Sequence, residues 1–261
     1  MQIIRVKGIN SMGKTNGCEL TPPKILEALD EIGTNEKGKL INKKLLDLEE
    51  IHVNNNNVEE ANQLIYKNSK KAFETQDKTL FIGGDHSISY SLVKGFKETY
   101  NKGNLIVFDA HADCIKPGKE PTHEEWLRKI IEEGFPPQNI VLIGVRNIWP
   151  EEKKFLSENK IQFIEMKQVN EDIDGVCDMV MEKVREKGFY ISIDIDVIDP
   201  AFAPGTRYQE PGGMTSRQLI YFLQRLTLLK NFRGADIVEI NPDIEERITI
   251  KLGAKILSEL I

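Results

Sequence analysis

Eight short runs rich in β-branched and aromatic residues recur along this chain, at 3–6, 50–53, 79–84, 104–109, 139–145, 162–166, 189–196 and 235–240. Several are apolar at every position, as in Leu105-Ile106-Val107-Phe108. A strand with one wet face alternates apolar and polar residues; a strand without a wet face belongs to a parallel sheet covered on both sides. Helical patterns lie between the runs. Thr21 reads as an N-cap before prolines, and 57–76 carries helical apolar spacing at Leu64, Ile65, Ala72 and Phe73. The stretch 122–137 reads as a helix capped by Thr122 and stopped by Gly134, and 215–229 and the last eighteen or so residues complete the set. Strands alternating with helices predict one α/β domain over 1–261, with no repeat and no linker. The polar run 54–57 reads as a turn.

Four of the runs end in a shared way: apolar strand first, then carboxylates or imidazoles. They are "FIGGDHS" with His86, "VFDAHAD" with Asp109, His111 and Asp113, "ISIDIDVIDP" with Asp194 and Asp196, and "IVEINP" with Glu239. In an open parallel sheet, ligands bind beyond the carboxyl ends of the strands. These groups are therefore expected at one edge of one sheet. Extended backbone has a period of two, which puts Asp109, His111 and Asp113 on one side, and Asp194 and Asp196 likewise.

Such convergence has an electrostatic consequence. Four carboxylates ~5 Å apart form six repelling pairs of about 3 kcal/mol each at an effective dielectric of 20. The sum, on the order of 20 kcal/mol, exceeds the net stability of an ordinary domain. Protons or cations must relieve it. Two divalent cations balance Asp109, Asp113, Asp194 and Asp196, and His86 and His111 add nitrogen donors, which is the composition of a two-metal site that activates water. Oxygen and nitrogen donors without thiolate favour Mn²⁺, with Zn²⁺ or Fe²⁺ as alternatives.

Composition narrows the partners. A net charge of −6 over 261 residues offers no basic surface for nucleic acid and mildly favours a cationic substrate. Cys18, Cys114 and Cys177 are three and scattered, which suits a reducing, cytoplasmic setting. No run approaches the ~18 apolar residues of a membrane span, and the start lacks the pattern of a secretory signal.

The strings "GGDHS" (83–87), "DAHAD" (109–113), "SIDIDVIDPAFAPGT" (192–206) and "EINP" (239–242), in this order, resemble the ureohydrolase family of arginases, agmatinases and formimidoylglutamases. The resemblance implies a three-layer α/β/α sandwich with a central eight-stranded parallel sheet, shared with deacetylase-like enzymes. It implies a binuclear manganese site and hydrolysis of a guanidino or amidino C–N bond, and makes a homo-oligomer the expected assembly. It makes His86 and Asp113 ligands of one metal and His111 and Asp196 ligands of the other, bridged by Asp109 and Asp194. Glu239 matches the carboxylate that pairs with the substrate guanidinium. His123 matches the proton-shuttling histidine; by its residue type and position it also reads as a solvated side chain in a first helical turn.

Two departures bear on substrate. After "DAHAD" come Cys114, Ile115 and Lys116, where relatives that meet an amino-acid carboxylate carry Ile-Asn. After "APG" the chain reads "TRYQEPGG", which puts Arg207, Tyr208 and Gln209 on a loop near the site. Arg207 has three readings: binding a substrate carboxylate, narrowing the pocket, or facing solvent. The favoured expectation is an agmatinase-type activity on a small guanidino substrate. Formimidoylglutamase and arginase activities are alternatives, as is a deacetylase-like amidohydrolase, which has no need of Glu239. A non-catalytic role is disfavoured because all six ligands are present.

Overall fold

The computed structural model describes all residues, Met1–Ile261. Its eight strands are β1 (Gln2–Val6), β2 (Asp47–Ile51), β3 (Thr79–Ile82), β4 (Asn104–Phe108), β5 (Ile140–Val145), β6 (Gln162–Glu165), β7 (Phe189–Asp194) and β8 (Phe232–Val238). They form one sheet in the order β2-β1-β3-β8-β7-β4-β5-β6, every pair parallel.

The fully apolar strands resolve into two faces. Ile106 and Phe108 join one core while Leu105 and Val107 join the other; Val141 and Ile143 oppose Ile140 and Leu142 in the same way. Helices α1 (Thr21–Leu29), α6 (Met166–Glu171), α7 (Ile173–Val184), α8 (Ser216–Leu226) and α9 (Ile248–Leu260) cover the first face. Helices α2 (Val58–Thr75), α3 (Ile88–Thr99), α4 (Trp126–Glu132) and α5 (Pro150–Glu158) cover the second. This is the three-layer sandwich the sequence predicts.

Local expectations fare unevenly. β2 closes at Ile51, so His52 and Val53 lie beyond it. Thr21 does not cap α1; it is the first helical residue, and its hydroxyl donates to the Ile240 carbonyl at 2.5 Å, tying the helix to the loop after β8. Thr122 caps nothing either, because α4 starts only at Trp126 and His123 sits in the turn before it. The run 54–57 is a turn, and Asn57 caps α2 by accepting from the Glu60 N–H.

The strands that end in acidic or imidazole groups, β3, β8, β7 and β4, are consecutive neighbours at the centre of the sheet. Gly83 and Gly84 follow β3 where the surroundings are crowded. A Cβ on Gly84 would lie 2.0 Å from the Gly8 carbonyl oxygen, and one on Gly83 would lie 2.4 Å from Ile88. Close backbone approach requires Gly84, and the packed Ile88 and Val238 side chains crowd Gly83; neither glycine serves a left-handed turn.

Candidate metal centre and active site

β4 ends at Phe108, and the DAHAD segment that follows is not extended. Asp113 adopts φ 51°, in the left-handed region that Asp tolerates better than most residues. Asp196 likewise lies in a short 3₁₀ turn, Ile195–Val197, not on β7. The period-two argument for a common side is thus incorrect. What brings the groups together is folding back: the Asp109 carboxylate accepts from the His111 N–H at 2.7 Å, and Asp194 accepts from the Asp196 N–H at 2.8 Å. Asp196 in turn accepts from the Ala110 N–H at 3.1 Å, which locks the β4 loop to the β7 loop.

Each of these three aspartates keeps its second oxygen for the centre. His86 Nδ1 lies 3.2 Å from Asp109 Oδ2, 3.0 Å from Asp113 Oδ2 and 3.2 Å from Asp194 Oδ2. His111 Nδ1 lies 2.9 Å from Asp196 Oδ2 and 3.5 Å from Asp109 Oδ1. Two donor groups result, His86-Asp109-Asp194 and Asp109-His111-Asp196, with Asp109 common to both. Asp113 adjoins the first through His86, and its Oδ2 also accepts from Trp126 Nε1 at 2.8 Å.

The outer sides of both imidazoles are engaged. The Ser192 hydroxyl donates to Asp236 at 2.7 Å, so at 2.9 Å from His86 Nε2 it can only accept. Asp236 is fully buried and also accepts from Ser89 and Tyr190. His111 Nε2 meets Glu210 at 3.3 Å. Both rings therefore carry a proton on Nε2 and turn Nδ1 to the aspartates, the orientation of imidazoles that ligate metals.

The donor set fits two divalent cations. His86 Nδ1 and Asp109 Oδ2 are buried and have no hydrogen-bond partner, although three carboxylate oxygens stand within 3.2 Å of that nitrogen. Atoms so close yet unaligned point at a common centre. Neighbouring ligands on an octahedron with bonds of about 2.1 Å are themselves about 3 Å apart. Charge agrees. Burial, then the charge of Asp109, pushes Asp113 up to about 7. Burial and adjoining carboxylates hold Asp194 and Glu239 well above the usual carboxylate range. Burial alone would lower the two imidazoles, but the surrounding aspartates outweigh it and raise both. The cluster thus has a deficit of positive charge, which protons or cations must fill.

A cavity of about 200 Å³ opens above these groups. That is below the ~300 Å³ at which sites for drug-sized ligands begin, so it suits a small substrate. Its fourteen lining residues include seven carboxylates and three imidazoles and no Lys or Arg. Glu239 lines it, 2 % exposed, in a left-handed conformation of φ 65°. The strain of a non-glycine residue there is of the kind that functional sites hold. Its Oε1 accepts from the His86 N–H at 2.8 Å, and its Oε2 has no partner. His123 lines the wall, buried, with Nε2 3.2 Å from the Tyr208 hydroxyl and Nδ1 unpartnered. Burial holds its imidazole below the ordinary value. The solvated reading of His123 is thereby set aside.

Arg207 is not brought to the site. It is exposed and absent from the lining, while Tyr208 and Glu210 face in. Of its three readings, the structure keeps the solvent-facing one. Lys116 is exposed and outside the lining as well. Sequence reasoning missed Glu210, Glu124, Asn147, Trp149 and Glu152, which all line the cavity. Glu152 accepts from the Cys114 and Trp149 N–H groups and so fixes two loops. Asp85, inside the quoted "GGDHS", was also passed over. It accepts from the Asn10 N–H and the Thr15 hydroxyl, both at 2.7 Å, pinning the loop after β1 beside the site.

Comparison with known proteins agrees with this arrangement. The chain is 29% identical over 264 residues to a mitochondrial arginase of Medicago truncatula, covering 94% of this chain and 76% of that one. It is 29% identical over 221 residues to an agmatinase of Photorhabdus laumondii, covering 84% and 70%. Among solved structures, the formimidoylglutamase of Bacillus subtilis superposes with a TM-score of 0.89 at 23% identity, over 99% of this chain and 85% of that one, and so shares the fold. The family model named Arginase family matches residues 5–261, and with the eight-stranded sheet and the paired His/Asp clusters at its centre this places the chain in the arginase family.

Proposed function

We propose that the protein is a binuclear-manganese ureohydrolase of agmatinase type. It adds water to a guanidinium, R–NH–C(NH₂)₂⁺, and releases urea and R–NH₃⁺, with 1–261 acting as one catalytic unit. One observation carries the choice of substrate class: the cavity is lined by carboxylates and imidazoles, with no Lys or Arg to meet a substrate carboxylate. That favours a guanidine without a carboxylate over arginine or formimidoylglutamate, since an unpaired buried carboxylate among seven others is strongly disfavoured. The unpartnered Glu239 Oε2 supports a guanidino over an acetylamino substrate, because a planar cation offers paired N–H donors to a carboxylate.

In this reading His86, Asp113, His111, Asp196, Asp109 and Asp194 would hold the two ions, Asp109 being common to both donor groups. Nitrogen and oxygen donors without thiolate suit Mn²⁺. When bound, the ions supply Lewis acidity and a water acidified toward neutral pH. Glu239 accepts from the guanidinium through its free Oε2 and so holds the carbon near the metal donors. Asp113, with Trp126 orienting its carboxylate, accepts a hydrogen bond from the attacking water. His123 passes a proton to the departing amine; its lowered affinity for protons makes it a ready donor once charged. Three buried free cysteines suit a cytoplasmic enzyme, and a homo-oligomer is the assembly we expect. The test is a screen of Mn²⁺-loaded protein against agmatine-like, arginine and formimidoyl compounds, scoring urea and formamide separately. Urea from the decarboxylated guanidine is expected. Formamide alone, or urea from arginine alone, would overturn the assignment.

A further inference from the structure

Tyr208 lines the cavity and has no task in the hydrolysis described above. Its ring centroid lies 5.5 Å from that of His123, tilted by 31°, and 5.9 Å from that of His111, edge-on at 76°. Its hydroxyl stands 3.2 Å from His123 Nε2 and 3.3 Å from Glu124 Oε1, and those two atoms are themselves 3.6 Å apart. The three polar atoms form a closed triangle, and chemistry places its hydrogens. A carboxylate with Lys14 Nζ at 3.4 Å only accepts. The Tyr208 hydroxyl therefore gives its one hydrogen to Glu124 and has only lone pairs to offer His123. In the neutral imidazole Nε2 must then carry the hydrogen, and Nδ1, buried without a partner, holds the lone pair.

We propose that Tyr208 is a positioning residue: backed by Glu124, it fixes the tautomer and tilt of His123, so that Nδ1 alone exchanges the proton passed during hydrolysis. This rests on the hydrolase reading above and adds how its proton-transfer histidine is set. R–NH–C(NH₂)₂⁺ and water become urea and R–NH₃⁺, so both hydrogens of the water end on the departing nitrogen and none is drawn from solvent. An imidazole that passes one of them must first accept it and then release it. Nδ1 can do so only if it starts with a lone pair. It then gains the hydrogen the water gives up, and that N–H bond breaks as the amine nitrogen takes the hydrogen. Nε2 keeps its own hydrogen on the Tyr208 oxygen throughout. The other tautomer, with its hydrogen on Nδ1, cannot begin this cycle. His123 is 5 % exposed, so Tyr208 rather than solvent decides which nitrogen carries the hydrogen. A buried carboxylate orients the histidine of a catalytic triad by the same logic, without touching the substrate.

The test uses full-length protein and two readouts. The first is steady-state kinetics of the Mn²⁺-loaded enzyme with agmatine. Tyr208→Phe keeps the ring and removes the hydroxyl; kcat should fall by about tenfold, the change in tautomer ratio that one ordinary hydrogen bond controls, with KM and metal content within about twofold. Glu124→Ala should lose a similar factor, because the freed hydroxyl can turn its hydrogen toward Nε2, and Glu124→Gln, which keeps an acceptor oxygen, should recover most of it. The double variant Tyr208→Phe with Glu124→Ala should lie within about twofold of Tyr208→Phe, since the two side chains act as one unit. The second readout is nitrogen-15 NMR of the Zn²⁺-loaded protein in mildly alkaline buffer, which needs no turnover. The chain has four histidines, His52, His86, His111 and His123, so the signals of His123 are those missing from His123→Asn. Its ring should read as the Nε2–H tautomer in the wild type and as a mixture in Tyr208→Phe. An Nδ1–H tautomer in the wild type, an unchanged tautomer in Tyr208→Phe, or a kcat in that variant within about twofold of wild type overturns the proposal. Additive losses in the double variant overturn the part given to Glu124. If the wild type hydrolyses no guanidine while the tautomer responds as expected, the hydrolase reading fails and the hold of Tyr208 on His123 stands.

Discussion

Replacing Glu239 by Gln isolates one interaction. The side chain is buried, its Oε1 is occupied by the His86 N–H at 2.8 Å, and its Oε2 faces the cavity alone. Gln must keep its carbonyl oxygen on the His86 N–H, because turning the amide over would set two donors against each other. Its NH₂ then points into the cavity, where the guanidinium also presents N–H groups. The substitution removes a charged acceptor and installs a donor at the same point. A hydrogen bond to a charged group contributes about 1.5–3 kcal/mol, and the opposed donors push the cost to the upper part of that range. This corresponds to a loss of about 30- to 150-fold in kcat/KM. Metal content is unaffected, because Glu239 belongs to neither donor group. The fold is unaffected too, since the change removes a carboxylate that burial and the charges of Asp194 and Asp85 disfavour. Steady-state kinetics with the guanidino substrate, paired with metal analysis, reads both quantities. A loss below about threefold would refute the assignment of Glu239 to the guanidinium, and loss of manganese would move Glu239 into the metal shell.

Other substitutions separate the remaining roles. Mn²⁺ loading followed by metal analysis should find about two ions per chain, and Asp109→Ala, which removes the shared carboxylate, should bring the figure near zero. Ser192→Ala leaves Asp236 without its link to His86 and should weaken metal binding by about 10- to 100-fold in a chelator competition, with little change in far-UV circular dichroism. His123→Asn should lower kcat by at least ~10²-fold while leaving metal content intact; equal kcat in the variant would remove His123 from the proton path. Arg207→Ala should change kcat/KM by less than about threefold for any substrate, because an exposed cation outside the cavity contributes at most about 1 kcal/mol.

Most of the sheet was legible because apolar runs such as 105–108 and 140–143 have no wet side, as is usual for strands of a doubly covered parallel sheet. The metal donors were legible for a related reason. Acidic residues directly after such strands have no place to go but the sheet edge. Their local geometry was not legible, because the backbone leaves the extended state at Asp109 and at Ile195, where local carboxylate-to-backbone bonds and one bond between loops distant in sequence, Ala110 N–H to Asp196, hold it. Helix starts failed for a similar reason. Thr21 and Thr122 are good caps by type, but the Ile240 carbonyl competes for Thr21, and the chain at His123 is held as a turn. The loop 207–210 shows a further limit. It alternates, with Tyr208 and Glu210 inward and Arg207 and Gln209 outward, and sequence does not set the phase of such an alternation.

The sheet order also bears on how the enzyme comes into being during synthesis. β8 is the last strand to leave the ribosome, yet it inserts between β7, its predecessor in the chain, and β3, which precedes it by far. Until it does, the loop carrying His86 and the loops carrying Asp109 and Asp194 border a gap one strand wide. The Asp109-His111-Asp196 group can assemble from β4 and β7 alone; the His86-Asp109-Asp194 group cannot. The nascent chain is thus expected to capture its two ions in sequence, the second only when β8 closes the sheet. Non-local insertion of this kind is slow, and it leaves the edges of β3 and β7 unpaired in the meantime. The metal supply of the cell thereby becomes a factor in the yield of folded enzyme as well as in its activity.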